Sequence, residues 1–303
     1  MMHLISCSLR AKFEPDLSLI SPYSYELEAS EPFTDQPFIS IFRKDGRQLT
    51  YVAAHHDNNV NSPTYRLINE AMYHQKPKMV ILEGFETSLG LSPRDLLQNF
   101  KETSTEAFFE WGEPAYAAIQ ADKVGILFVG GEPDDIYVLE EIKKVGYTTN
   151  DLLGFYFVRQ IPQFRRGKSL ESKSAQKIFE EYLRSARHSL QLPSDHRFSY
   201  LEFVKWYKEN NKKKFTLKSF HDFDGEEVAP LEHGKFATQK ISHAVGMVRD
   251  KYVVSLVAEL VNKYNNVMIV FGRSHLPVQR KALEAMFGAP VLETVSMKDG
   301  ASG

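Results

Sequence analysis

The sequence predicts an α/β protein whose mixed, mostly parallel central sheet is flanked by helices and interrupted by a helical insertion. Three observations carry that expectation. Four short apolar runs, Leu49 to Ala54, Met79 to Leu82, Ile126 to Val129 and Val267 to Phe271, are each followed by a polar or glycine-containing break and then by helical spacing. Continuous apolar runs suit strands buried on both faces, and helices between them suit a parallel sheet. Between about residues 136 and 232 the strand signal nearly vanishes while helical patterns persist. Finally, 303 residues with 43% hydrophobic content, 21 Phe and 14 Tyr carry enough apolar surface to offset the entropy of ordering the chain. One α/β domain over 1–303 is expected, with 136–232 as an insertion or cap.

Taken in chain order, Met1 to Gln36 shows no regular pattern. Phe38 to Phe42 alternates, and the Asp45-Gly46 turn signal links it to the run at Leu49, so an antiparallel hairpin should decorate the sheet. Ser62 can cap a helix with Pro63 at its first position, and Pro133 and Pro277 sit similarly just after strand ends. Ser174 to Leu190 and Tyr200 to Glu209 read as helices of the insertion. After Phe236, the series Ile241, Val245, Val248, Tyr252, Leu256 and Leu260 marks a long helix with a wide apolar face. Pro290 to Met297 can supply a last strand.

Composition narrows the function. A formal net charge of −2 offers no global field for a polyanion, which argues against nucleic acid as a partner. The lone Cys7 cannot form an intrachain disulfide. The start through Cys7 superficially resembles a lipoprotein processing site, yet lacks a basic leader and a long apolar segment; no stretch reaches the roughly 20 residues needed to span a bilayer. Cytoplasm is the default location. The basic run Lys212 to Lys214 and the acidic stretch Asp222 to Glu227 read as solvated loops. An EF-hand reading of His221, Asp222, Asp224, Glu226 and Glu227 fails for want of the required glycine.

The polar residues that follow the strands are more informative. His55 and His56 follow the first run, Glu83 the second, Glu132 the third, and His275 the fourth. In an open parallel sheet, carboxyl ends of strands share one crevice where ligands bind. Alternation sends the two adjacent histidines to opposite sides, so one of them should enter the crevice. A carboxylate placed directly after an apolar strand, as Glu83 is, must find a donor, a cation or water. Glu132, Asp134 and Asp135 can alternatively satisfy a helix start, and the paired Gly130-Gly131 would permit close approach of a ligand. On the long helix Arg249 shares a face with Ser242 and Gly246 and can hold a carboxylate or a developing anion, with Asp250 beside it. Ser274 lacks the glycine-flanked elbow of a hydrolase nucleophile, because position 276 is Leu.

These residues resemble, in order and spacing, the TraB/PrgY and TIKI family within the wider erythromycin esterase and ChaN-like group. The resemblance rests on Ala53-Ala54-His55-His56 as a first G-x-x-H-like turn, Glu83 in Ile81-Leu82-Glu83-Gly84-Phe85, Arg249-Asp250, and Gly272-Arg273-Ser274-His275. Ala53 stands where the first motif has glycine. His56-Asp57-Asn58 is similar to the His-Asp-Asn of ChaN-like members, which favours His56 over His55. The resemblance covers about Leu49 to Met297 and implies His56, Glu83, Arg249 and His275 as site residues.

The leading expectation is a divalent-metal-dependent hydrolase acting on a peptide or ester-like carbonyl of a peptide or small-molecule substrate. His56, Glu83 and His275 would bind the metal (Mn, Co, Zn or Fe), Arg249 would stabilise anionic charge, and Glu132 is a secondary catalytic candidate. A metal-independent esterase or lactonase, in which Glu83 or Glu132 polarises a histidine, is the second expectation. The third is a non-enzymatic haem- or iron-binding protein. The helical insertion would cover the crevice and select substrate.

Overall fold

The computed structural model describes residues 12–56, 61–102, 108–166, 173–216, 223 and 225–294, without the side chains of 108–111 and 166. Cys7, Asp57-Asn58, His221, Asp222, Asp224 and the expected strand end at 295–297 lie outside the described residues. The chain divides into two compact units. One comprises Met1–Ser21, Ala29–Glu132 and Lys251–Gly303. The other comprises Pro22–Glu28 and Pro133–Asp250, taking in the 136–232 segment and running past it.

The first unit is built on a six-stranded sheet, formed by β1 (Phe38–Lys44), β2 (Arg47–Ala54), β3 (Met79–Glu86), β4 (Leu127–Glu132), β5 (Asn266–Gly272) and β6 (Val291–Glu293). Its order is β4-β3-β5-β2-β1-β6. β2, β3, β4 and β5 run parallel, whereas β1 pairs antiparallel with β2 through the Asp45-Gly46 turn and with β6 on its other side. The fold is therefore α/β with a mixed, mostly parallel sheet.

Strand alternation explains why both faces are apolar. Val52, Ala54, Val80, Leu82, Met268 and Val270 share a core with residues of helices α1 (Pro63–Gln75), α2 (Arg94–Glu102) and α3 (Phe108–Lys123). Their neighbours Tyr51, Ile81, Ile269 and Phe271 point the other way and are equally buried.

Helix starts differ in detail from the sequence expectation. Pro63 is the first residue of α1, but the Ser62 side chain makes no cap bond, and its buried hydroxyl has no partner among the described residues. Pro133 lies outside the helix that follows it, and Pro277 is third in α10 (His275–Phe287), where a missing N–H costs nothing because first-turn amides have no intrahelical partner.

The outer edge of β4 is covered by the chain itself. Thr87 Oγ1 donates to the carbonyls of Gly130 and Glu132, Ser92 N donates to Phe128 O, and Phe128 N donates to Ser92 Oγ. Residues 87–92 thus run beside the strand and occupy backbone groups that an open edge would expose. Gly130 permits this, since a Cβ there would collide with the carbonyls of Phe85 and Glu86.

Among the described residues, the second unit holds the helices α4 (Asp135–Lys144), α5 (Thr149–Arg159), α6 (Ile161–Arg166), α7 (Ala175–Ser189) and α8 (Tyr200–Asn211). It also holds the first part of α9 (Ala237–Tyr264). Reciprocal capping boxes, Thr148 with Asp151 and Ser199 with Glu202, start α5 and α8. The core is aromatic: Phe157 meets Phe179 and Phe203 edge-on with centroids 4.9 Å away, and the Trp206 ring lies where a Cβ on Gly154 would be. Glu227, expected in a solvated loop, is instead buried, hydrogen-bonded by Tyr207 Oη and ion-paired with Lys213. Lysine and phenol together supply the donors that a buried carboxylate requires. No helix among the described residues is long and apolar enough to cross a membrane.

Candidate active site

Three adjacent parallel strands, β3, β5 and β2, end together at one rim of the first unit. Ala54 and Gly272 are register partners, and Arg273 N donates to Ala54 O, which locks the ends of β2 and β5 side by side. Just past β2, the Thr64 hydroxyl both accepts from His55 N and donates to His55 O. The backbone one residue before His56 is thereby fixed.

Of the two adjacent histidines, His56 turns to the rim. Its Nδ1–H donates to Glu113 Oε1. The ring is 68% exposed and the carboxyl only 5%. Glu113 emerges from a kink in α3, where Gly112 takes φ 60° and ψ −155° inside an otherwise helical run. This geometry needs glycine and lets the next side chain leave the helix surface. The hydrogen bond to Glu113 holds the His56 imidazole well above its ordinary 6.5, at about 9. Partial desolvation and His275 oppose that shift, and the charges of Glu83 and Glu113 reinforce it.

Glu83 follows the buried end of β3 and satisfies its carboxylate on β5. Its Oε2 accepts from Gly272 N at 2.6 Å, and its Oε1 lies 3.5 Å from His275 Nε2. Both side chains are largely covered, at 14% and 16% exposure. A Cβ on Gly272 would stand 3.0 Å from His56 Nε2 and 3.3 Å from Glu83 Oε2. Glycine there lets the strand backbone reach the carboxylate, and it shows that His56 and Glu83 face the same point. His56, Glu83 and His275, which the sequence suggested separately, therefore share one site with Glu113.

Two further expected residues are Glu132 and Arg249. Glu132 is buried beside this rim, and its Oε1 accepts from Gly84 N at 3.3 Å. It does not cap α4, whose cap position is taken by Asp134. The paired glycines do not open onto a ligand. Gly130 is filled by the Phe85 and Glu86 carbonyls, and Gly131 by the Phe271 ring and Ile81. Arg249 belongs to the second unit, where it is close enough to Tyr156 to pull its hydroxyl down; burial drives that hydroxyl up, with Asp135 reinforcing it. Ser242 and Gly246, on the same face of α9, pack against the chain at Val228 and Pro230.

Sequence reading missed Glu113, because it lies inside a helical pattern rather than after a strand. One signal was present: Gly112-Glu113-Pro114 repeats the Gly131-Glu132-Pro133 tripeptide, and both place a buried glutamate.

Among the described residues, no three His, Cys, Asp or Glu side chains are grouped to hold an ion. His56 Nδ1 is held by Glu113, which leaves Nε2 as the nitrogen turned toward Gly272 and Glu83. These residues are not gathered into a three-ligand centre. They do fit proton transfer, with a cationic imidazole on one side and a carboxylate–imidazole pair on the other.

No family model, curated protein or solved structure matches the chain.

Proposed function

We propose that the rim site hydrolyses an ester-like carbonyl, in an ester or lactone, by acid–base catalysis without a resident metal. The observation that carries this reading is the His56–Glu113 pair facing the Glu83–His275 pair across Gly272. An imidazole held protonated beside a carboxylate supplies the acid and the base that such a step needs. The order of motifs that resembles the TIKI and erythromycin esterase group supports a hydrolytic role as well.

Glu83 Oε1 accepts the proton of a water held against His275 Nε2, and the water oxygen attacks the carbonyl carbon. His56, protonated at neutral pH, stabilises the developing oxyanion and then gives its Nε2 proton to the departing alkoxide. The products are a carboxylic acid and an alcohol, and the proton taken by Glu83 returns to His56 through solvent. Positioned proton transfer of this kind contributes roughly 10²–10⁴-fold in rate.

The test is turnover of p-nitrophenyl esters and aliphatic lactones in the presence of chelator. Wild-type protein should be active, while His56→Ala, Glu83→Gln and His275→Ala should each lose most of kcat. Undiminished rates in all three variants would remove the proposal.

A further inference from the structure

Resting on the hydrolytic reading of Glu83, we propose that Glu132 is a positioning residue that sets the backbone from which Glu83 reaches the site. β3 and β4 are in register up to Leu82 and Gly130, and again at Glu86 and Glu132. Four steps on β3 thus span two on β4, and the bulge so formed begins at Glu83. Within it Gly84 adopts φ +79°, which side chains rarely allow. A bulge of this kind removes amides from the ladder, and a buried amide must find another acceptor.

Glu132 supplies acceptors at both ends of the bulge. Its Oε1 takes the Gly84 N–H at 3.3 Å, and its main-chain carbonyl takes the Thr87 hydroxyl at 3.2 Å. Glu132 is 9% exposed, and its carboxylate is bonded to the residue directly after Glu83. Losing the Gly84 bond releases the peptide that aims Glu83 Oε2 at Gly272 N. The residue's weight lies in where it holds Glu83, and an acceptor of the same length keeps the bond to Gly84 N.

The experiment compares Glu132→Asp with Glu132→Gln, using p-nitrophenyl butyrate as probe. Aspartate is one methylene short of Gly84 N. It should lower kcat by about tenfold to a hundredfold, the scale of a small misplacement of a reacting group, with KM within about twofold. Glutamine keeps an oxygen at the same reach, so kcat should stay within about threefold and neither limb of the pH profile should move. A Gln variant as impaired as the Asp variant, or one that loses a limb of the profile, overturns the proposal in favour of direct proton transfer. An Asp variant with wild-type kcat and only a lower thermal midpoint overturns it in favour of a purely structural role. If the wild type hydrolyses nothing, the hydrolytic reading fails alone, and a crystal structure of Glu132→Asp decides the positioning. Glu83 Oε2 displaced from Gly272 N supports the proposal, and Glu83 unmoved overturns it.

Discussion

His56 and Glu113 are joined across 57 residues of sequence, with an exposed imidazole resting on a carboxyl group that has almost no contact with solvent. The buried acid sets the protonation of the exposed base. Since the folded value, about 9, lies above the ordinary 6.5, the pair stabilises the folded state fully below about 6.5, and that contribution is lost as pH rises through 9.

Replacing Glu113 with Gln keeps an acceptor for Nδ1–H and removes the charge. The His56 ring signal, followed by NMR, should then titrate near its ordinary value instead of about 9. Because protonated His56 acts as the acid, wild-type kcat/KM should fall above about 9, and this limb should move down in Glu113→Gln. The stability difference between the two proteins should be small, given a ring that is 68% exposed, and should vanish as pH rises through about 9. A limb that stays in place would dissociate His56 from the chemistry.

Metal removal separates the two hydrolytic mechanisms. Dialysis against chelator should leave ester turnover unchanged, with no gain on adding Mn, Co, Zn or Fe. Loss of activity on chelation, restored by one of these ions, would instead make His56, Glu83 and His275 ligands.

Two glycine substitutions should fail in different ways. Gly272→Ala puts a methyl 3.0 Å from His56 Nε2 and 3.3 Å from Glu83 Oε2, in a backbone region open to alanine. The fold should survive, with a melting temperature within a few degrees of wild type, while kcat falls at least about tenfold through misplacement of both groups. Gly130→Ala meets backbone carbonyls that cannot rotate away, and should cost about 1–3 kcal/mol or more by denaturant titration.

In the second unit, Phe157 touches the rings of Phe164, Phe179, Tyr182 and Phe203 and is fully buried. Phe157→Ala should destabilise this unit by about 3–5 kcal/mol, seen as a lower midpoint in chemical denaturation.

Much of this was legible in the sequence because strand burial is a local property. The four apolar runs became β2 to β5, and His56, Glu83 and His275 from the segments after three of them lie together at one rim. Glu113 was not legible in the same way, since a helix kink that turns one carboxyl inward leaves no periodic trace. The use of Gly130 and Gly131 was hidden for a related reason. A glycine's need for space is set by what lies against it, here the Phe85 carbonyl and the Phe271 ring, which are distant in sequence.

The strand order has a consequence for how the protein is made. β5 occupies the slot between β2 and β3, although it is synthesised long after β3, so that Leu82 lies beside Val270. A nascent chain on the ribosome therefore carries His56 and Glu83 on strands with no shared neighbour until residues 266–272 emerge. Closing so long a loop is slow, and it completes the sheet centre and brings His56 and Glu83 together in one event. Chains halted before that point should be inert and should depend on chaperones.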